Sequence, residues 1–479
     1  MTRPEQFSSR WGFILASLGM AVGAGNIWRF PRIVVQYPGG SFILAWLIAL
    51  FLWSIPLLVV EFSFGRESRR GPAGAFARML GAKWAWVGAF VALTTTAIMF
   101  YYSVVAGWSA GYMCFSATGG LEAGAVQARW QGFVDSPLAW AGMAASLAVG
   151  GLIVWRGVRG GIERACRVLI PLLFLLLVVA AARALTLEGA GKGVAKLFEV
   201  DLAALGNHRL WLEAFSQSAW STGAGWGLYL VYATYTGKGE NPLFNAFMTG
   251  VGNNLASLLA ALATVPTLYA LGTEAEIQEA VGGNEGLAFI YIPKLFLSGE
   301  VPGGKLVLLV FFVGLFLASL SSLIAMIELG VRTLLDFGGR RGSAVLLVVG
   351  AALVLGTPSA FSTDAFKNQD WAWGLGLLVT GLLFALGAVV YGAGRLRELV
   401  NRGQASWRLG RWFDGAVTVL IPLLFLAMLA WWFQQAVTWD EETWWHPFRT
   451  FSIGTCLGQW GIALLALRLG NRWLARSGR

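Results

Sequence analysis

Charge is what this sequence has least of. Only 13% of its 479 residues are Asp, Glu, Lys or Arg, about half the share of an average soluble domain, whereas 57% are hydrophobic. Apolar runs of about 20 residues, enough to cross a hydrocarbon core of about 30 Å, recur along the whole chain. A soluble protein of this size needs a more polar surface. The composition therefore indicates an all-α membrane protein embedded in the lipid bilayer.

Cysteine and histidine are also scarce. The three cysteines have no recurrent spacing, which predicts neither a disulfide framework nor a metal site. The two histidines, His208 and His446, fall in predicted loops. The chain therefore lacks, at membrane depth, the histidine ligands that haem-binding enzymes and intramembrane metalloproteases usually have. No pairing of nucleophile and base stands out in the apolar runs either. The sequence thus argues against an enzyme.

The net charge of +10 does not indicate a nucleic-acid partner, because the basic residues form no patch. They fall at the ends of the apolar runs. With the N-terminus inside, about 24 of the 35 Lys and Arg lie in inward loops and tails. This asymmetry predicts that both termini are cytoplasmic and that the protein is a multi-pass component of the plasma (inner) membrane.

Twelve transmembrane helices are predicted from the apolar runs. Two long outward segments, 185–208 and 273–296, are expected to form short surface helices. The predicted spans are 12–36, 40–64, 84–115, 137–155, 162–185, 211–236, 243–272, 303–337, 342–360, 370–394, 412–434 and 447–469.

Two of these spans contain residues that a membrane helix should avoid. The first holds "GMAVGAGNIWRFP", 19–31, and the sixth holds "SAWSTGAGWG", 218–227. Gly19 and Gly23 alone fit a small-xxx-small packing pattern equally well. The second interruption lies five spans later, so two five-span repeats would have opposite topology. Paired broken helices in two inverted halves point to the binding site of a transporter.

These segments resemble one family. "AVGAGNIWRFP" followed by "GGSFILAW", then "GGIERACRVLIP", "QSAWSTGAGWG" and "LASLSSLIAM", closely resemble the neurotransmitter:sodium symporter family. The resemblance implies a 5+5 inverted-repeat, leucine-transporter-like fold with helices 1 and 6 broken. It places the first repeat at 1–185, the second at 186–396, and helices 11 and 12 with a cytoplasmic tail at 397–479. It also implies sodium-driven uptake of amino acids or related amines.

By the same resemblance, two sodium sites are expected, and neither has an acidic side chain. The first takes the substrate carboxylate together with Ala21, Asn26, Ser221 and Asn253. The second takes the carbonyl oxygens of Gly19, Val22 and Ala318 and the hydroxyls of Ser321 and Ser322. For the two serines, ordinary hydrogen bonding between helices is the alternative.

The substrate class is predicted from Gly23. Members of the family that transport monoamines have an aspartate at this position, to pair with the amine. An amino acid brings its own carboxylate, which the amides of Ala24 and Gly25 and the hydroxyl of Tyr102 would bind. The remainder of the implied pocket is Ala21, Ile98, Trp220, Ser221, Gly223, Trp226, Ser322, Leu323 and Met326.

The size of the substrate depends on two indoles. Many amino-acid-transporting members have phenylalanine where Trp220 and Trp226 stand, and the larger indoles would shrink the pocket. The expected substrate is therefore a small neutral amino acid or a methylated glycine. If Gly223 instead opens space between the indoles, a large aromatic amino acid is the alternative. A substrate-gated channel or a transport-dead sensor on the same fold is a further alternative.

Chloride and the gates complete the implied site. The chloride candidates are Trp46, Gln217, Ser221, Asn253 and Ser257, with Trp46 standing where the family has tyrosine. The gate candidates are Arg29 with Asp370 outside and Arg3 with Asp336 inside. The sequence gives no sign of an obligate oligomer, so a monomer or a weak homodimer is expected.

Overall fold

The computed structural model describes residues 5–237, 239–298, 302–402, 404 and 406–478. These residues form helices, turns and loops, and none of them lies in a β-strand. Nine helices within this part of the chain are long and apolar enough to cross a bilayer. Two bent helix pairs, Arg10–Ala21 with Ala24–Val35 and Ile453–Leu469 with Asn471–Gly478, meet the same criteria. The all-α membrane fold class is therefore confirmed.

The helices fit the predicted spans when the two glycine-broken ones are each counted once. In chain order they are α1a (Arg10–Ala21), α1b (Ala24–Val35), α2 (Gly39–Ser68), α3 (Ala82–Thr118), α4 (Pro137–Trp155), α5 (Val158–Leu185), α6a (His208–Thr222), α6b (Leu228–Ala233), α7 (Pro242–Leu271), α8 (Gly304–Leu335), α9 (Arg341–Phe361), α10 (Thr363–Tyr391), α11 (Trp412–Trp439) and α12 (Ile453–Leu469).

The first break separates α1a from α1b by a bend of 69°. Val22 has φ −78° and ψ 98°, and Gly23 has φ −117° and ψ −171°, so the backbone is extended at both residues. The amide of Gly23 donates to Oδ1 of Asn26 at 2.9 Å instead of continuing the helix ladder. The break therefore removes the helical partners of nearby carbonyl groups.

The second break separates α6a from α6b and depends on three glycines. Gly223, Gly225 and Gly227 have φ values of +69°, +94° and +78°. Residues with a side chain rarely adopt this left-handed region, so a continuous helix here is replaced by a turn. α1a packs against α5, α7 and α8, and α6b packs against α2, which places both breaks inside the helix bundle.

Two local predictions differ from the structure. α10 begins at Thr363 rather than at 370, because Ser362 caps it by accepting a hydrogen bond from the amide of Ala365 at 3.2 Å. The helical segment Leu287–Leu297 is not a surface helix throughout. Phe289 is fully buried and stacks on Trp130 with ring centroids 4.8 Å apart.

Candidate binding site at the two helix breaks

One cavity of about 280 Å³ lies beside both helix breaks. Most of the predicted substrate residues line it. They are Ala21, Gly23, Gly25, Ile98, Tyr102, Trp220, Ser221, Gly223, Trp226, Ser322 and Met326. The same cavity extends past Arg29 and Asp370 to Trp371, Trp432, Trp439 and Phe451. It is therefore continuous from the breaks to the end of the bundle that the sequence predicts to be outward.

Ala24 and Leu323, both predicted for the pocket, are not among the residues that line the cavity. Leu323 belongs to the hydrophobic core. Its side chain is fully buried, and a Cβ placed on Gly150 of α4 would lie 3.9 Å from its Cγ. Ser322 and Met326 are four residues apart and share one face of α8, whereas Leu323 is rotated by about 100° from Ser322. The cavity face of α8 therefore excludes Leu323.

The Tyr102 hydroxyl lies close to the backbone of the first break. The amide of Ala24 donates to the Tyr102 hydroxyl at 3.2 Å. A Cβ placed on Gly23 would lie 2.9 Å from that hydroxyl and 3.0 Å from Oγ of Ser322. The position has no room for a side chain unless these neighbours shift. The Tyr102 hydroxyl thus lines the cavity beside the N-terminus of α1b, and a hydroxyl next to a helix N-terminus is suited to a carboxylate.

The residues predicted for the first sodium site meet around Asn253 of α7. Its Oδ1 accepts from Nδ2 of Asn26 at 2.8 Å and lies 2.8 Å from the carbonyl oxygen of Ser221 and 3.2 Å from that of Ala21. Its Nδ2 lies 3.1 Å from Oγ of Ser221. Three oxygen atoms converge here, which is unfavourable unless the amide rotates by 180° or a cation lies among them.

The residues predicted for the second site lie between α1a and α8. Ser322 Oγ donates to the carbonyl oxygens of Gly19 and Met20 at 3.4 and 3.3 Å, and Ser321 Oγ donates to that of Ala318 at 3.0 Å. A Cβ on Gly19 would lie 3.3 Å from Cβ of Ser321, so the helices approach closely. Val22 follows in non-helical conformation and is fully buried.

The chloride candidates include buried donors that have no hydrogen-bond partner among the described residues. These are Nε1 of Trp46 and Nε2 of Gln217. Ser257 is already engaged, because its Oγ accepts from Nδ2 of Asn26 at 2.8 Å. Buried polar groups are normally paired, so the first two atoms are available to donate to an anion or to water.

The predicted outer pair of Arg29 and Asp370 is not formed in this structure. Nη2 of Arg29 lies 3.9 Å from Oε2 of Glu213 and donates to Oγ of Ser216 at 3.2 Å. Its guanidinium lies 5.6 Å from the ring centroid of Trp220. Asp370 lies elsewhere on the wall of the same cavity. Separation of this pair agrees with a cavity that is open at this end.

Of the predicted inner pair, only Asp336 can be described, because Arg3 lies outside the described residues. Oδ1 of Asp336 instead lies 2.9 Å from Nη2 of Arg332, four residues earlier. Its Oδ2 accepts from the amide of Gly71 at 2.5 Å, which joins α8 to the loop after α2. The Asp336 carboxylate therefore closes the end of the bundle near the chain termini.

Sequence reasoning missed Glu61, a fully buried acid in α2. Its Oε1 accepts from the amide of Gly225 at 2.5 Å and its Oε2 from that of Leu230 at 3.3 Å. The carboxylate thus satisfies amides that the break between α6a and α6b leaves without helical partners. A lone acid inside "LLVVEFSFG" was the available signal, because intramembrane acids usually have a specific partner.

Glu328, another fully buried acid, was also missed. Oε2 of Glu328 accepts from Nη1 of Arg341 at 2.7 Å, and its Oε1 accepts from the Tyr235 hydroxyl at 2.5 Å. Arg341 also pairs with Glu5, so this network joins the N-terminal segment to α8, α9 and the end of α6b. The acid within "AMIELG" was again the sequence signal.

Comparison with known proteins gives one consistent result. The family model described as "Sodium:neurotransmitter symporter family" matches residues 4–133 and 126–474. An uncharacterized sodium-dependent transporter of Methanocaldococcus jannaschii is 31% identical over 445 residues, covering 89% of each chain. A sodium- and chloride-dependent GABA transporter of Drosophila melanogaster is 25% identical over 511 residues, covering 92% of this chain and 52% of that protein.

A solved structure agrees with these matches. The crystal structure of MhsT in complex with L-phenylalanine superimposes with a TM-score of 0.78 and 29% sequence identity, covering 89% of this chain and 99% of that one. The fold, the apolar helices and the matched family together describe an integral multi-pass transporter and not an enzyme. The chain therefore belongs to the sodium:neurotransmitter symporter family.

Proposed function

We propose that the protein imports a small neutral amino acid or a methylated glycine together with sodium, by alternating access. The convergence of the Ala21 and Ser221 carbonyl oxygens on the side-chain amide of Asn253, at 3.2 and 2.8 Å, carries this proposal. A hard cation such as sodium prefers oxygen ligands, and Ala21 and Ser221 both line the cavity.

The carboxylate of the substrate would complete the first sodium site. Gly23 supplies no side-chain charge, whereas the amide of Ala24 and the Tyr102 hydroxyl already lie 3.2 Å apart at the break. A carboxylate that ligates sodium and accepts from these groups raises the affinity for sodium, and sodium raises the affinity for the carboxylate by the same factor. Coupling between ion and substrate thus follows from shared contacts.

The second sodium would act on the helices rather than on the substrate. Gly19 lies near the end of α1a, and Val22 follows directly after that helix. The two serines, Ser321 and Ser322, lie on α8. An ion held by both helices stabilises the conformation in which they touch. It shifts the population only by the difference in its affinity for the two conformations.

The direction of transport is inferred from the gate residues at the two ends of the helix bundle. The outer residues Arg29 and Asp370 are apart, whereas Asp336 is engaged with Arg332 and Gly71. We assign this arrangement to the outward-facing conformation, with both termini in the cytoplasm of an inner membrane. Entry of each sodium ion then supplies about 2.3 kcal/mol per 100 mV of membrane potential.

A large aromatic amino acid is the second candidate substrate. A Cβ placed on Gly223 would meet only Cε of Met20, at 3.9 Å, so this wall of the cavity has room beside it. The related MhsT structure contains L-phenylalanine. These two observations favour the larger substrate, whereas the indoles of Trp220 and Trp226 favour the smaller one.

Thermal unfolding of the purified protein separates the candidates. We expect glycine, alanine or N-methylglycine to raise the unfolding temperature in sodium but not in potassium. Stabilisation by phenylalanine or tryptophan alone would select the second candidate. Equal effects in sodium and potassium for every amino acid would refute sodium coupling.

A further inference from the structure

Trp220 occupies a notch in α10 that exists only because residue 374 is glycine. A Cβ placed on Gly374 would lie 2.5 Å from Cζ2 and 2.6 Å from Cη2 of the Trp220 indole. Side-chain carbons do not approach this closely, so the indole and an alanine cannot occupy these positions together. Gly374 is buried and does not itself line the cavity, whereas Trp220 does.

The surroundings of Trp220 determine where the indole would move if the notch were filled. Trp226 packs edge-on against it at 6.0 Å between ring centroids. The guanidinium of Arg29 lies 5.6 Å from its ring centroid. With α10 behind it and these two groups beside it, the open side of the indole is the cavity.

We propose that Gly374 determines substrate size by holding the Trp220 indole against the wall of the cavity. This inference rests on the proposed function, because it takes the cavity as the amino-acid site. Gly374 is a positioning residue, since it acts only through Trp220. Trp220 and Trp226 therefore reduce the volume of the pocket by less than the size of two indoles suggests, because part of the Trp220 indole lies in the notch.

The test compares Gly374→Ala with the double variant Gly374→Ala/Trp220→Phe. The two atoms within 3.0 Å of the added Cβ belong to the far end of the indole, which phenylalanine lacks, and the next atom, Cε2, lies at 3.8 Å. We expect Gly374→Ala to raise KM by about tenfold for the largest accepted amino acid and less for glycine. The double variant should have the same ranking of amino acids by size as Trp220→Phe alone.

Two glycine variants control for general effects of adding a methyl group. Gly350→Ala in α9 meets no atom within 4 Å, and Gly376→Ala in α10 meets Cγ2 of Thr94 at 3.2 Å. Both should keep the wild-type ranking of amino acids by size. The proposal is wrong if Gly374→Ala keeps that ranking too, or if it changes the ranking just as much when residue 220 is phenylalanine.

A structure of the Gly374→Ala variant provides a readout that does not depend on transport. We expect the indole of Trp220 to be displaced into the cavity, and an unmoved indole beside a shifted α10 would overturn the proposal. Failure of the proposed function has a different signature, because the wild-type protein itself would then show no sodium-dependent uptake of any amino acid.

Discussion

Nδ2 of Asn26 donates to Oδ1 of Asn253 across 2.8 Å and joins the break in the first span to the middle of α7. The same Oδ1 faces the carbonyl oxygens of Ala21 and Ser221, so one amide links three of the helical segments around the cavity. This contact places the first sodium candidate next to the group that would bind the substrate carboxylate.

Replacing the amide should therefore weaken sodium and substrate together. We expect Asn253→Ala to lower the apparent sodium affinity by about 10- to 100-fold, because it removes the amide on which the Ala21 and Ser221 carbonyl oxygens converge. Sodium titration of amino-acid binding measures this effect. Asn245→Ala is the matched control, since Asn245 is also buried in α7 but donates to Glu240, away from the break. Equal losses in both variants would contradict the assignment.

For the second sodium site, the test is a change in sodium affinity when Ser322 is replaced. We expect Ser322→Ala to reduce sodium affinity by about tenfold, because its hydroxyl reaches the carbonyl oxygens of Gly19 and Met20. Ser146→Ala is the control, since the buried Ser146 hydroxyl bonds only to Gly142 of its own helix, at 2.9 Å. An unchanged sodium dependence in Ser322→Ala would contradict the second site.

The close contact at Gly23 predicts intolerance to even one added carbon. Gly23→Ala should abolish amino-acid uptake, because its Cβ would displace the Tyr102 hydroxyl, 2.9 Å away. Gly25→Ala should retain more activity, since its Cβ would meet no atom within 4 Å. Radiolabelled uptake with matched expression checks the pair, and the reverse order of activity would show that Tyr102 does not need its present position.

The contacts of Asp336 predict that its side chain helps to keep the inner end of the bundle closed. Asp336→Asn should weaken the contacts with Arg332 and the Gly71 amide and raise the population of inward-open molecules. Hydrogen exchange of α1a amides should then become faster. Asp364→Asn, in the exposed first turn of α10, is the control and should leave that exchange unchanged. Identical exchange in Asp336→Asn and the wild type would remove Asp336 from the gate.

The buried donors of Trp46 and Gln217 predict an anion requirement. Replacing chloride by gluconate should reduce uptake, and Gln217→Ala should reduce it further at low chloride, because one donor is lost. Uptake that is identical in chloride and gluconate would exclude chloride as a ligand and leave these donors to be satisfied by water.

Local sequence patterns were enough to predict the helix breaks but not the shape of the cavity. Glycine clusters occur in two apolar spans that lie five spans apart, and this pairing, rather than either cluster alone, indicated the breaks. The position of the Trp220 indole depends on Gly374, which lies on another helix 154 residues later. Such contacts have no periodicity, and no local rule reveals them.

Other differences have equally specific causes. Leu323 was predicted to line the pocket, but its neighbour Ser322 occupies the cavity face of α8. The start of α10 was predicted at residue 370, whereas the capping hydroxyl of Ser362 sets it earlier. The contact of Asp336 with Arg332, four residues earlier on α8, was not predicted, and the predicted partner Arg3 lies outside the described residues.

Uptake into sealed proteoliposomes under an inward sodium gradient tests the central claim most directly. We expect the internal amino-acid concentration to rise above the external one and to collapse when a sodium ionophore dissipates the gradient. A channel would equilibrate the amino acid without accumulating it, and a sensor would not move it. Uptake that stops at equal concentrations, or that is the same in potassium, would contradict sodium-coupled symport.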